Sequence, residues 1–366
     1  MPGRIVSVTA TPLRFPLAPP FRAAVRLIDS VDPVLVRVRD EDGREGIASA
    51  FGFGAADAKP IVEVLRSLGA TRVGQPALAI ERHWQEMHAL LALAGAGGAG
   101  LAALSAIDMA LWDLAGRTTG TPLWRLLGGA RDQVGVYASG GSLGLSTDAL
   151  VEEAMAFVEA GHTALKFKAG LGQAIDRQRL HAVREAGGTR LALAADGNQQ
   201  WTAKAAIGWA RAMEDLQLAW LEEPVPAGDL QAHADVRSAI PMDLATGETL
   251  FGPADAHRAI RTRACDILMP NLQRVGGITG WRKIAAAAEL AGVRMAGHVH
   301  PELQLHLLCA SGAVDGRAPV LELWPGWPWL WQERIEVKAG VAAPSERPGH
   351  GFTLDEGLVQ AHRSEA

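Results

Sequence analysis

Three short runs, LALAADGN (191–198), AWLEEP (219–224) and DLATGE (243–248), decide how this sequence folds. Each is an apolar run of strand length that ends at or next to an acid: Asp196, Glu222 and Glu248. The acids are evenly spaced, 26 residues from Asp196 to Glu222 and 26 more to Glu248. A step of that size accommodates one strand, one helix and two short loops, so successive parallel strands each deliver a carboxylate from the C-terminal end. The expected fold class is α/β, a (β/α)8 barrel of the TIM type, whose strand C-termini all open onto the face that carries chemistry. Three carboxylates brought together there repel one another unless a cation joins them, and an all-oxygen set suits Mg2+ best. Asp196, Glu222 and Glu248 are therefore the expected metal ligands.

Working outward, further strands at barrel spacing are read at VGVYAS (134–139), ALKFK (164–168), DILMPN (266–271), VRMAGH (293–298) and VLELW (320–324), with Ala-rich helical segments between them. Lys166 and Lys168 lie two apart at a strand end and share one face. Mutual repulsion and burial would depress both pKa values and leave one lysine a neutral base near neutral pH, whereas a solvated pair would do nothing. His298 closes the seventh run and is the candidate second base, with His300 and His306 as competitors. Glu322 closes the eighth.

Upstream, residues 4–14 and 33–40 alternate with period two, and Asp42-Gly43 signals a hairpin, so an antiparallel sheet begins the chain. The segments LAPPFRAAVRLIDSVD (17–32) and SAFGFGAAD (49–57) read as loops, either ordinary surface or a cover over a ligand, the latter offering Phe21, Arg22, Phe51 and Phe53. From Lys59 to Gly128 the pattern is helical.

The 366 residues exceed one compact domain, and with 48% apolar residues a large core is available. A net charge of −5 gives no basic surface for nucleic acid or an anionic membrane, leaving small solutes as the expected partners. The two cysteines, Cys265 and Cys309, have no metal or redox spacing, and the N-terminus enters a strand pattern at once; a cytoplasmic protein is expected.

Residues Ala103 to Gly128, through Ser105, Ala106, Asp108, Ala110, Asp113, Gly116, Arg117, Pro122, Leu126 and Leu127, resemble one signature of the mandelate racemase and muconate lactonizing enzyme families of the enolase superfamily. A second signature runs from Leu193 to Pro224 through Asp196, Asn198, Ala206, Met213, Leu221, Glu222 and Glu223. The resemblance implies an N-terminal α+β capping domain (1–128), a barrel (129–325) and a C-terminal segment (326–366) that returns to the cap. It implies removal of the proton α to a carboxylate, with Lys168 as base and Lys166 on the substrate carboxylate. Protonated Glu322 would hydrogen-bond that carboxylate, and Asn198 and Glu223 would lie just behind the ligands. It also implies a homo-oligomer.

One departure concerns the partner of His298: Asn271 stands where the racemase subgroup has an aspartate and the lactonizing subgroup a lysine. A 2-hydroxy acid or sugar acid dehydratase, or a racemase, is the leading expectation. A cycloisomerase or amino-acid-derivative epimerase is the alternative, and so is a catalytically silent barrel that binds metal and carboxylates. Aromatic residues, including Trp324, Trp327, Trp329 and Trp331, lean toward a substrate with an apolar part.

Overall fold

A computed structural model describes residues 3–93, 95 and 97–365. The chain starts with strands β1 (Ile5–Pro12), β2 (Phe15–Arg22), β3 (Leu27–Asp40) and β4 (Glu45–Gly52), which form an antiparallel sheet. Asp40 makes the β3–β4 turn by accepting the amides of Asp42 (3.1 Å) and Arg44 (2.8 Å), and Gly43 takes φ +80°. Against the expected loop at 17–32, most of that stretch is strand: β2 and the first part of β3. Proline lacks an amide donor and so belongs on an edge; β2 is that edge, paired with β3 only near its two ends, at Phe15–Val31 and Phe21–Ile28.

Helices α1 (Ala55–Ala70), α2 (Ile80–Leu91) and α3 (Gly98–Thr119) complete the cap, so the expected helical stretch is three helices with breaks. Helix α3 is long and apolar enough to cross a membrane, but 83% of its most apolar window is buried inside the protein, as in a core helix packed on all sides. Gly46 lets it lie directly on β4, since a Cβ there would stand 2.0 Å from the carbonyl of Ala110.

The barrel strands follow as β5 (Val134–Gly140), β6 (Ala164–Lys168), β7 (Ala192–Asp196), β8 (Trp220–Glu222), β9 (Asp243–Thr246), β10 (Ile267–Leu268), β11 (Arg294–Met295) and β12 (Val320–Leu323). Neighbours in sequence pair in parallel, β12 pairs β5, and a bridge from Ala296 to Val320 completes the ring. Alternation sorts the side chains: Leu165, Phe167, Leu193, Ala195 and Leu221 pack outward among helices, while Tyr137, Ala194 and Trp220 fill the interior. The register sets Lys168 opposite Asp196 and Asp196 opposite Glu222. After β12, strand β13 (Val341–Ala342) pairs β5, and Leu330, Trp331, Phe352, Leu354 and Val359 pack on Leu13, Leu35 and Ile47 of the cap.

Cap and barrel are joined by polar side chains of α3. Ser105 donates to the Gln273 carbonyl (3.0 Å) and accepts from the Gly276 amide (3.1 Å). Asp113 accepts from the amides of Ile47 and His350 (both 2.9 Å) and from Arg117 (2.8 Å). Asp108 accepts the Thr279 amide at 2.9 Å, at the start of helix Gly277–Leu290. Burial pushes the Asp108 pKa up to about 7 against the pull of its hydrogen bonds to Thr279 and Ile278. A carboxyl raised on folding contributes stability that is complete below its unfolded value and is lost as pH climbs through about 7. Asp108→Asn should therefore gain stability relative to the parent between about pH 5 and pH 8, by on the order of a few kcal/mol, in urea unfolding at the two pH values.

Candidate active site

The mouth of the barrel gathers the buried carboxylates of Asp196, Glu222 and Glu322, the half-buried one of Glu248, and three basic groups. Lys166, fully enclosed, pairs with Glu222, with Glu322 Oε1 at 2.9 Å and with Asp196 Oδ2 at 3.7 Å. Lys168 pairs with Asp196, and His298 Nε2 lies 2.7 Å from Glu248 Oε2 and 3.9 Å from Glu322 Oε2. Glu222 also accepts from Trp220 Nε1 at 3.1 Å. These groups come from the ends of β6, β7, β8 and β12 and from residues just after β9 and β11; period-two alternation turns those on the strands inward, and the turn at Gly247 (φ +127°) brings Glu248 to the same place.

Asp196, Glu222 and Glu248 each offer an oxygen within 4.8 Å of the other two. A magnesium ion with ligands at about 2.1 Å spans at most about 4.2 Å between two of them, so small carboxylate rotations suffice for the set to close on one ion. The donor chemistry fits a hard divalent cation. Asn198 holds Asp196 from behind: its amide donates to Oδ1 (2.8 Å) and its Nδ2 to Oδ2 (3.2 Å). Glu223, at φ +39°, accepts from the Thr246 hydroxyl and the Gly247 amide, which fixes the turn leading to Glu248.

Ionisation differs from the sequence reading in two respects. Burial lowers the lysine pKa values, but neighbouring carboxylates outweigh it: Glu222 and Glu322 raise Lys166 well above its usual value, and Asp196 raises Lys168. Glu322, expected to be protonated, is brought down to about 2 because Lys166 and His298 overcome its burial. Burial raises Glu222 to about 7 and Glu223 to about 8, whereas Glu248 sits well below the carboxylate range because His298 and Lys168 outweigh its burial. His298 itself is raised, Glu248 and Glu322 prevailing over burial. Each base is engaged by one of the acids.

The backbones of Asn271 and His298 form a parallel bridge, yet their side chains make no hydrogen bond to each other. Asn271 Oδ1 accepts the Gln273 amide at 3.1 Å, and neither Asn271 Nδ2 nor His298 Nδ1 has a partner among the described residues. His300 is buried against Phe51 and Trp327, and His306 is held by the Trp124 amide and the His350 carbonyl, so neither competes with His298.

A cavity of about 280 Å3 opens over these groups. Phe21, Phe51 and Phe53 line it; Arg22 does not, and its backbone instead bonds Ser142 Oγ (2.9 Å) and the Leu143 amide (2.9 Å). Of the tryptophans only Trp324 reaches the lining, because Trp327 packs on Phe51, and Trp329 and Trp331 pack on Phe352. Residues not foreseen are Ser139, Gln199, Thr249, Arg274 and Val299, with Val25, Arg26 and Ile28 from the cap. Ser139 was within reach of the strand-end rule; Ile28 lies on the part of β3 read as loop, and the others lie outside the strands and α-helices, without a period to betray them.

Barrel, strand-end acids and paired lysines together define a TIM-barrel enzyme built for acid–base chemistry beside a divalent cation. The chain belongs to the mandelate racemase/muconate lactonizing enzyme family: residues 5–128 match the model of its N-terminal domain, and residues 149–358 match the enolase C-terminal domain-like model. It is 35% identical over 325 residues to a 3,6-anhydro-alpha-L-galactonate cycloisomerase of Streptomyces coelicolor, spanning 88% of this chain and 89% of that one. It is 34% identical over 349 residues to the L-talarate/galactarate dehydratase of Salmonella typhimurium, spanning 93% and 86%. The crystal structure of that dehydratase superposes with a TM-score of 0.94 at 32% identity, covering 100% of this chain and 93% of the other. An enolase from Bradyrhizobium complexed with magnesium and mandelic acid superposes at 0.92 with 31% identity, covering 100% and 99%.

Asp196→Asn, Glu222→Gln and Glu248→Gln should each weaken Mg2+ binding roughly a hundredfold or more in calorimetric titration. Far-UV circular dichroism of each variant should match the parent; undiminished affinity in all three would remove these residues from the metal site.

Proposed function

We propose that this protein is a magnesium-dependent enzyme that removes the proton α to the carboxylate of a small organic acid, as a 2-hydroxy acid or sugar acid dehydratase or a racemase. The convergence of Lys168, Lys166, His298 and Glu322 with three metal-ligand carboxylates under one cavity supports this reading. Asp196, Glu222 and Glu248 would hold the ion, which when bound supplies positive charge that acidifies the α-carbon.

Lys168 Nζ takes the proton, which requires its neutral form; its partner Asp196 holds that proton in place until the carboxylate charge is compensated elsewhere. Lys166, enclosed and cationic, anchors the substrate carboxylate, and the ionised Glu322 beside it holds the ammonium in place. His298 serves on the other face, returning a proton to carbon in a racemase or giving one to a departing hydroxyl in a dehydratase. Asn271 offers His298 no anionic partner, and the site also lacks, at that position, the second lysine expected of a muconate-type cycloisomerase or an amino-acid-derivative epimerase. The reading extends to a homo-oligomer in a reducing cytoplasm, consistent with Cys265 and Cys309 being buried and unpaired.

Exchange of the α-proton with D2O, followed by NMR across 2-hydroxy acids and sugar acids, should be present in the parent. It should fall by roughly 10^2 to 10^4 in Lys168→Ala. EDTA should abolish exchange and Mg2+ restore it. Exchange that survives in Lys168→Ala but vanishes in His298→Ala would reverse the two base assignments. No exchange with any acid would favour the catalytically silent barrel.

A further inference from the structure

We infer that the acid taken by this cavity carries a bulky apolar substituent, aryl or branched alkyl, on its α-carbon, and that Val299 and Trp324 select it. The inference rests on the cavity being the place of α-proton removal. Beyond the ionic groups, much of the lining is carbon, contributed by Phe21, Val25, Ile28, Phe53, Val299 and Trp324. Phe21 and Trp324 meet edge to face with centroids 5.5 Å apart, which joins a cap strand to the loop after β12.

Several polar side chains in the same lining are engaged within the protein, while, among the described residues, Asn271 Nδ2 and the Ser139 hydroxyl are not. Gln199 Oε1 accepts the Ala227 amide (2.9 Å) and its Nε2 donates to Thr249 Oγ1 (3.0 Å). Arg274 donates to the Glu248 carbonyl (3.0 Å), and Arg26 to Asp57 (2.9 Å) and the Phe53 carbonyl. Asn198 holds Asp196 and accepts the Ala24 amide at 3.4 Å. A polyhydroxy chain entering here gives up water at several hydroxyls and finds, beyond the ionic groups, Ser139 and Asn271, few partners in exchange.

Val299 is the most pointed feature. It has φ +50°, a left-handed conformation that a β-branched side chain adopts at a steric cost, and it follows His298 directly. Its amide points at Glu322 Oε2 (3.3 Å), and its side chain forms part of the cavity wall. The strained turn therefore delivers an apolar group beside the reacting centre, where asparagine or glycine would have fitted without strain.

Selectivity is read first by binding, in Lys168→Ala saturated with Mg2+, by calorimetric titration of mandelate, 3-phenyllactate and 2-hydroxyisovalerate against gluconate and galactarate. The apolar acids should bind roughly tenfold or more tightly, and kcat/KM for α-proton exchange in the parent should follow the same order. Equal or tighter binding of the sugar acids overturns the inference. The expected binding order without exchange in the parent would overturn the catalytic reading and leave the selectivity standing. Val299→Asn, and separately Trp324→Gln, should narrow the 3-phenyllactate to gluconate ratio roughly tenfold. An unchanged ratio in both would show that these two residues do not select the acid.

Discussion

The structure depends on a balance of charge at the barrel mouth. Asp196, Glu222, Glu248 and Glu322 face Lys166, Lys168 and His298, with Asp196, Glu222, Glu322 and Lys166 buried and the other three half-buried at the cavity. Burial of any one of these ions alone would be prohibitive, so each is tolerated only because an opposite charge lies within hydrogen-bond reach. The acids outnumber the bases, and Glu222, whose pKa burial raises to about 7, is pushed further up by the neighbouring acids against the pull of Lys166. A divalent cation is the economical remedy, since it neutralises the acids as a group and frees both lysines for chemistry. Metal affinity and the availability of a base are thus one electrostatic property seen from two sides.

That balance is useful only if the cap stays in place, because the cap supplies part of the cavity wall. The polar residues of α3 give the attachment its precision. Ser105 and Asp108 fasten the segment that follows β10, and Asp113 fastens β4 and the C-terminal tail to the same helix. Within one of the two signatures that carry the family resemblance, then, these residues hold parts together and touch no substrate. Phe51, at the end of β4, belongs to both systems: its amide and carbonyl are bound by Gln273 while its ring packs under the cavity.

Much of this was legible in the sequence because a barrel repeats: equal steps between strand ends put Asp196, Glu222 and Glu248 at one level before any coordinate is known. Alternation likewise turned Lys166 and Lys168 to one side. Strand β2 was not legible, since three prolines and weak alternation look like loop unless it is known that the strand lies on an edge and needs few ladder bonds. Ionisation was not legible either. The pKa of Glu322 is set by Lys166, a residue 156 positions earlier in sequence (322 − 166) but 2.9 Å away in space. The fate of Asn271 depended on a local choice, its oxygen capping the Gln273 amide and leaving His298 without that partner.

The ring of strands is not equally strong all the way round. Between β11 and β12 it is closed by a single bridge at Ala296–Val320 and the Gly297 amide on the Val320 carbonyl, whereas β6 and β7 share five paired positions. His298 and Glu322 stand on opposite banks of that thin seam. Local opening there costs fewer hydrogen bonds than anywhere between β5 and β8, so the amide of Gly297 is placed to exchange with solvent ahead of those strands. Breathing along the seam would separate a proton donor from its neighbouring carboxylate while the metal-binding acids on β7 and β8 stayed fixed.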